Sequence, residues 1–351
     1  MDLGQLAARV TEATGIPLTP RDGERILSAV LASEDVWRIV ELARVPILAV
    51  CAGLRVLAEA GWVRWDGGLV RLTPDGEAGC ARLGAAPART LDCPRCGGRG
   101  VEASLLGDVA ARFRRLAAGR PDAAQEFDQG YVTEESTLAR VAVMASWGDL
   151  AGKDLLVLGD DDLVSVAAAL TGLPRRVVVL DVDPRITAFI ARVAERERLP
   201  IEVHTHDLRQ PLPPSLRGAF DTFFCDPTES LRGFLLFAGR GLSALRGPGG
   251  AGYLGLTHAE ASLAKWRAIQ GQLLSWGAVL TELRDRFHSY VNWPYVETMR
   301  AWGSLPVRRV PGRLEPWYRS AFLRIELVAP AAVDLSPVEG DIFVDEEAGT
   351  T

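Results

Sequence analysis

Eight carboxylates cluster just past the ends of four apolar runs, and that spacing points to chemistry on a cation. Asp160, Asp161 and Asp162 follow Leu155-Leu-Val-Leu158, and Asp181 and Asp183 follow Arg176-Val-Val-Val-Leu180. His206 and Asp207 lie beyond Ile201-Glu-Val-His204, while Asp226 and Glu229 follow Thr222-Phe-Phe-Cys225. Short apolar runs of this kind read as buried strands of a parallel sheet, whose ligands bind beyond the strands' C-terminal ends. All eight side chains are therefore expected on one rim.

A carboxylate ending the second strand can accept both hydroxyls of an adenosine ribose, which suits Asp181. Asp207 suits an adenine amino group. Asp183 joins them as a substrate-binding candidate, although Asp183-Pro184 is also a good helix start. The turn Gly159-Asp-Asp-Asp162 stands where nucleotide-binding folds carry glycines. In methyltransferases that turn lies close to the methionine carboxylate of S-adenosylmethionine, which three Asp would repel. Without that carboxylate the tail is an aminopropyl ammonium, attracted by each Asp with about 4 kcal/mol at roughly 4 Å and an effective dielectric near 20. Mutual repulsion should make at least one Asp titrate high until a cation binds. A Mg²⁺ ion is the alternative occupant of such a cluster.

In Cys225-Asp-Pro-Thr-Glu-Ser230 the proline fixes the backbone that follows the carboxylate. An amine attacking a sulfonium carbon must be neutral, and Asp226 is placed to orient it and take its proton, with Glu229 as a binding partner. The alternative is a helix N-terminus capped by Thr228 and Ser230. Two further segments are candidates for completing the pocket: Glu126-Phe-Asp-Gln129-Gly-Tyr131-Val-Thr133-Glu134, which could line its entrance, and the aromatic His288-Ser-Tyr290-Val-Asn-Trp293-Pro-Tyr295-Val-Glu297. The first supplies Gln129 and Tyr131 and the second Tyr295, where aromatic rings could attract ammonium groups or simply fill core.

Positioning these residues requires an α/β, doubly wound sheet of the class I methyltransferase-like kind over residues 121–330. Helices fit at Leu163 to Leu170, Arg185 to Arg198 and Leu231 to Leu245; Gly252 to Leu256 reads as a fifth strand. Ala278 to Phe287 and Phe322 to Val328 read as an antiparallel pair. Ahead of the sheet, residues 1–80 are expected to hold a winged-helix domain, with helices at Asp35 to Leu42 and Pro46 to Glu59. Its hairpin is Trp62 to Trp65, the turn Asp66-Gly67-Gly68, then Leu69 to Leu72. Residues 81–120 read as a Cys-containing linker followed by a helix from Leu105 to Ala118. Residues 331–351 are expected to form an acidic, flexible tail that is either solvated or folded over a cationic ligand.

With 48% hydrophobic and 24% charged residues in 351, the chain is globular and long enough for two domains. No apolar stretch of about 18 residues and no basic-then-apolar N-terminus is present, so a cytoplasmic protein is expected. A net charge of −6 argues against duplex DNA as the main partner, and Arg55 is the single cation on the helix that would read a groove. Acidic proteins suit polycationic small molecules. Only Lys153 and Lys265 are lysines, leaving 39 − 2 = 37 arginines, a bias of GC-rich genomes that is compatible with a thermophile. Cys93-Pro-Arg-Cys96 resembles one knuckle of a zinc ribbon whose second knuckle is missing.

Taken together, these motifs resemble the branched-chain polyamine synthases, or N(4)-bis(aminopropyl)spermidine synthases, of thermophilic archaea and bacteria. Gly159-Asp-Asp-Asp162, Asp226-Pro-Thr-Glu-Ser230, Asp128-Gln-Gly-Tyr131 and Cys93-Pro-Arg-Cys96 carry the resemblance, with the winged helix and the acidic C-terminus. It implies aminopropyl transfer from decarboxylated S-adenosylmethionine, as co-substrate, to the secondary amine of spermidine, releasing methylthioadenosine; no further cofactor or metal is implied. A second transfer would give a quaternary ammonium product. The family's catalytic aspartate falls in the triple run and is assigned to Asp161, with Asp160 or Asp162 sharing the work. Comparison with linear spermidine synthases implies that Asp162 meets the donor's amine. The family's fourth-strand motif reads Asp-Pro-Pro-Glu-Thr, so Thr228 and Ser230 depart from it while Asp226 and Glu229 do not. A homodimer is expected, with polyamines as partners. A nucleobase or protein methyltransferase and a polyamine-sensing regulator are the competing readings.

Overall fold

The computed structural model describes residues 1–90, 92–102 and 106–351. The N-terminal part holds helices α1 (Leu3–Thr14), α2 (Pro20–Ala32), α3 (Val36–Ala43) and α4 (Ile47–Glu59). Strands β1 (Val63–Asp66) and β2 (Leu69–Leu72) and helix α5 (Pro74–Arg82) follow. Short polar caps start the helices: Asp2 accepts from the Gln5 amide and Asp35 from the Arg38 amide. The hairpin closes with Asp66 opposite Leu69, and both turn glycines, Gly67 and Gly68, take positive φ of 57° and 85°. Positive φ at both positions strains residues that carry a Cβ, which is why the turn takes a glycine pair.

Ten of the thirteen residues of α4 are buried, and Arg55 donates to the Ser304 carbonyl at 2.7 Å. The helix is thus a packing element. Its core does not close on itself but continues into aromatics from the far end of the chain, Trp293, Trp317 and Tyr318. The Trp37 and Trp317 rings lie 4.5 Å apart, and the Trp37 indole donates to the Arg309 carbonyl at 2.8 Å.

Helix α6 spans Asp108–Ala117. The expected helix start at Leu105 lies outside the described residues. Thr133 caps α7 (Glu134–Ser146), which leads into the sheet. Its strands are β3 (Asp154–Leu158), β4 (Arg176–Asp181), β5 (Ile201–Thr205), β6 (Thr222–Cys225), β7 (Ala251–Leu256), β8 (Ala278–Arg284) and β9 (Ala321–Leu327). The order is β5-β4-β3-β6-β7-β9-β8, with the first five parallel and β9 antiparallel to both neighbours. This is the class I methyltransferase-like arrangement. β3, β6 and β7 are buried throughout because helices cover both faces. Leu155 and Val157 face the helices α8 (Val164–Leu170) and α9 (Pro184–Glu197), while Leu156 and Leu158 face α10 (Leu231–Ala244) and α11 (Leu263–Ser275). Strand order reverses between β3 and β6, which opens a crevice at their C-terminal ends.

The tail corrects an expectation in its last ten residues: 331–341 are exposed or half-buried, as a solvated end would be, but 342–351 pack against the fold. Lys265, one of the two lysines, donates to the Glu229 and Glu260 carbonyls and pairs with Asp345 at 2.9 Å. Glu347 accepts from the Ser262 amide and hydroxyl, and the Ser230 hydroxyl donates to the Ile342 carbonyl. Partners for its buried carboxylates and carbonyls are what hold this acidic segment down. Among the described residues no helix is long and apolar enough to cross a membrane.

Candidate active site

A cavity of about 320 Å³ occupies the crevice, with Phe343 and Thr350 of the tail among its walls. The three consecutive aspartates of the first turn do different jobs there. Gly159 at φ 70° and Leu163 at φ 58° bracket the turn. A buried Leu held in the left-handed region costs on the order of 1–2 kcal/mol, which the surrounding core sustains.

Asp160, expected as a catalytic group, does not line the cavity. Its carboxylate is fully buried and accepts from the Ser165 amide and hydroxyl at the start of α8, so it is a helix cap. Asp161 is half-buried, lines the cavity and accepts no hydrogen bond on its carboxylate from any described residue. Burial, reinforced by Asp162 and Asp181, holds its carboxyl well above the usual range. Asp162 lines the cavity but is already engaged: it accepts from the Val132 amide at 2.6 Å and pairs with Arg140.

Arg140 of α7, fully buried, bridges Asp162 and Asp226. Asp226 Oδ2 takes that contact and a second from the Tyr290 hydroxyl at 2.8 Å. A Cβ at Gly255 on the neighbouring β7 would overlap Asp226 Oδ1, so only glycine leaves this carboxylate its place. Burial raises the Asp226 carboxyl while Arg140 opposes the rise.

At the nucleoside end, Asp181 accepts from the Asp160 and Asp183 amides, each at 2.8 Å, leaving lone pairs toward the cavity. Asp207 also lines the cavity, its carboxyl held low by hydrogen bonding to Arg209. Two expected binding residues are corrected. Asp183 is fully buried off the cavity, capping α9 and pairing with Arg185 at 2.6 Å, the helix-start alternative. Tyr131 lies under the Arg120 guanidinium, 3.5 Å from its ring centre, and does not reach the cavity. Gln129 lines the wall, but its amide is committed to Asp183 and to the Ala124 amide. Tyr295 lines the wall too and donates to the Gln129 carbonyl.

The opposite end holds a second acidic group. Burial and the nearby Glu260 push the Asp128 carboxyl up to about 7, and burial, Glu260 and Asp128 push Glu229 well above its usual range. Glu260 itself accepts from the Thr350 amide and hydroxyl, each at 2.7 Å, and from Tyr318. Among the described residues three buried polar atoms on the cavity's lining have no partner: His206 Nε2, Thr228 Oγ1 and Trp293 Nε1. Buried polar atoms without partners mark places where a ligand completes the hydrogen bonding. No three metal-ligating side chains gather in a metal-holding arrangement among the described residues. Cys93 and Cys96 are free thiols away from the cavity.

Sequence reasoning missed Arg140 and Glu260. Arg140 is the one charge in Leu138-Ala-Arg-Val-Ala-Val-Met144, a signal in itself. Glu260 lies just past the fifth strand, and the rim rule applied to that strand would have found it.

Comparison with known proteins places the chain in a family. Residues 108–350 match the model of the branched-chain polyamine synthase A C-terminal domain. The chain is 54% identical over 347 residues to the N(4)-bis(aminopropyl)spermidine synthase of Thermus thermophilus, covering 99% of this chain and 98% of that one. Identity to the synthase of the same name from Thermococcus kodakarensis is 44%, over 99% of both chains. The solved structure of the Thermus thermophilus branched-chain polyamine synthase, in complex with N4-aminopropylspermidine and 5′-methylthioadenosine, superimposes with a TM-score of 0.93 at 52% identity, covering 99% of this chain and 98% of that one. The chain belongs to the branched-chain polyamine synthase family.

Proposed function

We propose that the protein moves aminopropyl groups from decarboxylated S-adenosylmethionine to the secondary amine of spermidine. The observation that carries this reading is a cavity with a nucleoside end and, beyond it, carboxylates that form no ion pair with a described residue, Asp161, Asp128 and Glu229, with Arg120 only partly opposing the rise at Asp161. Asp181 and Asp207 receive the nucleoside, with the orphaned His206 Nε2 beside them. The donor's ammonium tail runs past Asp161 and Asp162, where a carboxylated donor would be repelled. The Thermus thermophilus structure, in complex with N4-aminopropylspermidine and 5′-methylthioadenosine, supports a site that takes both a polyamine and a nucleoside.

In the transfer, the acceptor nitrogen's lone pair attacks the propyl carbon next to the sulfonium. The carbon–sulfur bond breaks, its electrons return to sulfur, and methylthioadenosine leaves uncharged. Asp226, its Oδ2 held by Arg140 and Tyr290, orients the nitrogen through Oδ1. Asp161 takes the proton, because the carboxylate with no protein donor is the stronger base of the two. Asp128 and Glu229 hold the acceptor's terminal ammonium groups, and ligand charge in turn ionises them. Incubation with decarboxylated S-adenosylmethionine and spermidine should yield branched tetra- and pentaamines, with one methylthioadenosine released for each aminopropyl group transferred. Folded protein that makes neither would refute the assignment.

A further inference from the structure

Behind Asp226 runs a buried chain of hydrogen bonds that the transfer itself does not use. Arg140 Nε lies 2.9 Å from His288 Nε2, and His288 Nδ1 lies 2.6 Å from Ser320 Oγ. Ser320 Oγ lies 3.0 Å from the Tyr290 hydroxyl, which lies 2.8 Å from Asp226 Oδ2. Both ends of this chain fix its sense. The Arg140 Nε–H can only donate, so His288 Nε2 is the unprotonated nitrogen and the ring's proton sits on Nδ1. His288 therefore donates to Ser320. At the other end an ionised Asp226 can only accept, so Tyr290 donates to it and Ser320 donates to Tyr290.

Every hydroxyl between the arginine and the carboxylate thus points the same way. Burial and the adjacent Arg140 guanidinium keep His288 neutral, which preserves that sense. Asp226 Oδ2 then accepts from both Arg140 and Tyr290, and Oδ1 is the oxygen left for a ligand. We propose that His288 and Ser320 are positioning residues that act through Tyr290 to fix which oxygen of Asp226 meets the acceptor amine. The proposal rests on the reading of Asp226 as the group that orients this amine. The charged and titratable groups facing Asp226 are Arg140, Asp161, Asp162, Cys225, Glu229 and Tyr290, and Ser320 touches none of them but Tyr290.

The test is a double-mutant cycle on the full chain with decarboxylated S-adenosylmethionine and spermidine, comparing Ser320→Ala, Tyr290→Phe and the pair. Ser320→Ala should lower kcat about tenfold with the donor KM within about twofold. The acid limb of its kcat–pH profile should move to higher pH, since a weakened Tyr290 donation raises the Asp226 carboxyl. Ser320→Thr, which restores the hydroxyl, should recover most of the rate. The pair should be no slower than Tyr290→Phe alone. Additive losses, an unmoved acid limb, or a Ser320→Ala enzyme at full rate would overturn the relay. Should Ser320→Ala fail to fold, Ser320→Cys keeps the size but donates weakly and closes the same cycle. Asp226→Asn separates the two levels: full turnover there removes Asp226 from the mechanism, whereas lost turnover with an additive cycle removes the relay alone.

Discussion

The two ends of the cavity are both lined with carboxylates, yet only one end leaves them uncompensated. At the nucleoside end Asp181 is held by two backbone amides and Asp207 by Arg209. Burial raises the Asp181 carboxyl while these amides oppose the rise, and Arg209 holds Asp207 low, so both carry protein donors before an uncharged hydroxyl or amino group arrives. Beyond that end Asp161, close to Asp162 and Asp181, and Asp128 and Glu229, both close to Glu260, sit above their ordinary carboxyl values. Burying charges without partners is costly, and the group neutralises itself by holding protons until a cation takes their place. A site built this way recognises a ligand by its charge.

The sharpest way to break the comparison is at Asp161. Asp161→Asn should cut kcat by about 10³-fold, within the range for a lost general base, while thermal unfolding and methylthioadenosine binding persist. Turnover near the wild-type rate would show that the unpartnered carboxylate is not the base. Next in size comes Gly255→Ala, which displaces the Asp226 carboxylate; a loss of roughly 100-fold in kcat is expected from a shift of about 1 Å. A variant with wild-type kinetics would mean that Asp226 does not need its present position.

Asp128→Asn should act on the acceptor alone. Its carboxyl, raised by burial to about 7, ionises as pH rises through that value, so the acceptor KM of the wild type should fall across the same window. The variant should show an acceptor KM about tenfold higher, without the pH dependence, as expected for one lost ion pair of about 1.4 kcal/mol. In the unliganded protein the sign for stability is opposite. Because folding raises this pKa, the group's contribution is full below about 4 and is lost as pH rises through about 7, and calorimetry of the wild type against Asp128→Asn reads the difference. Smallest of all is Asp183→Asn at the compensated end. Kinetics should stay within about twofold, with a stability loss near 1 kcal/mol in urea unfolding, because Asn still caps α9.

Much of this was legible because the rim rule needs only strand ends. The apolar runs before Asp160, Asp181 and Asp226 are strands that helices cover on both faces, and their burial made them readable. What the rule could not tell was which way a rim carboxylate turns. Asp160 and Asp161 are neighbours in one turn, yet one caps α8 and the other faces the cavity. That difference depends on where Ser165 falls, and it appears only once α8 is built. The tail was misread for a similar reason. Its composition is that of a solvated end, but Lys265 and Ser262, 80 residues before Asp345 and 85 before Glu347, supply its partners. The Asp183 cap was the plain local reading of that residue, overshadowed by the pull of the motif, whereas the Tyr131–Arg120 stack appears only once the segment before α7 is built.

Titration calorimetry with the two forms of the donor tests charge recognition most directly. Binding of decarboxylated S-adenosylmethionine should be at least about 100-fold tighter than binding of S-adenosylmethionine, since the added carboxylate meets Asp161 and Asp162 with no protein cation free to offset it. Equal affinity for the two would contradict it.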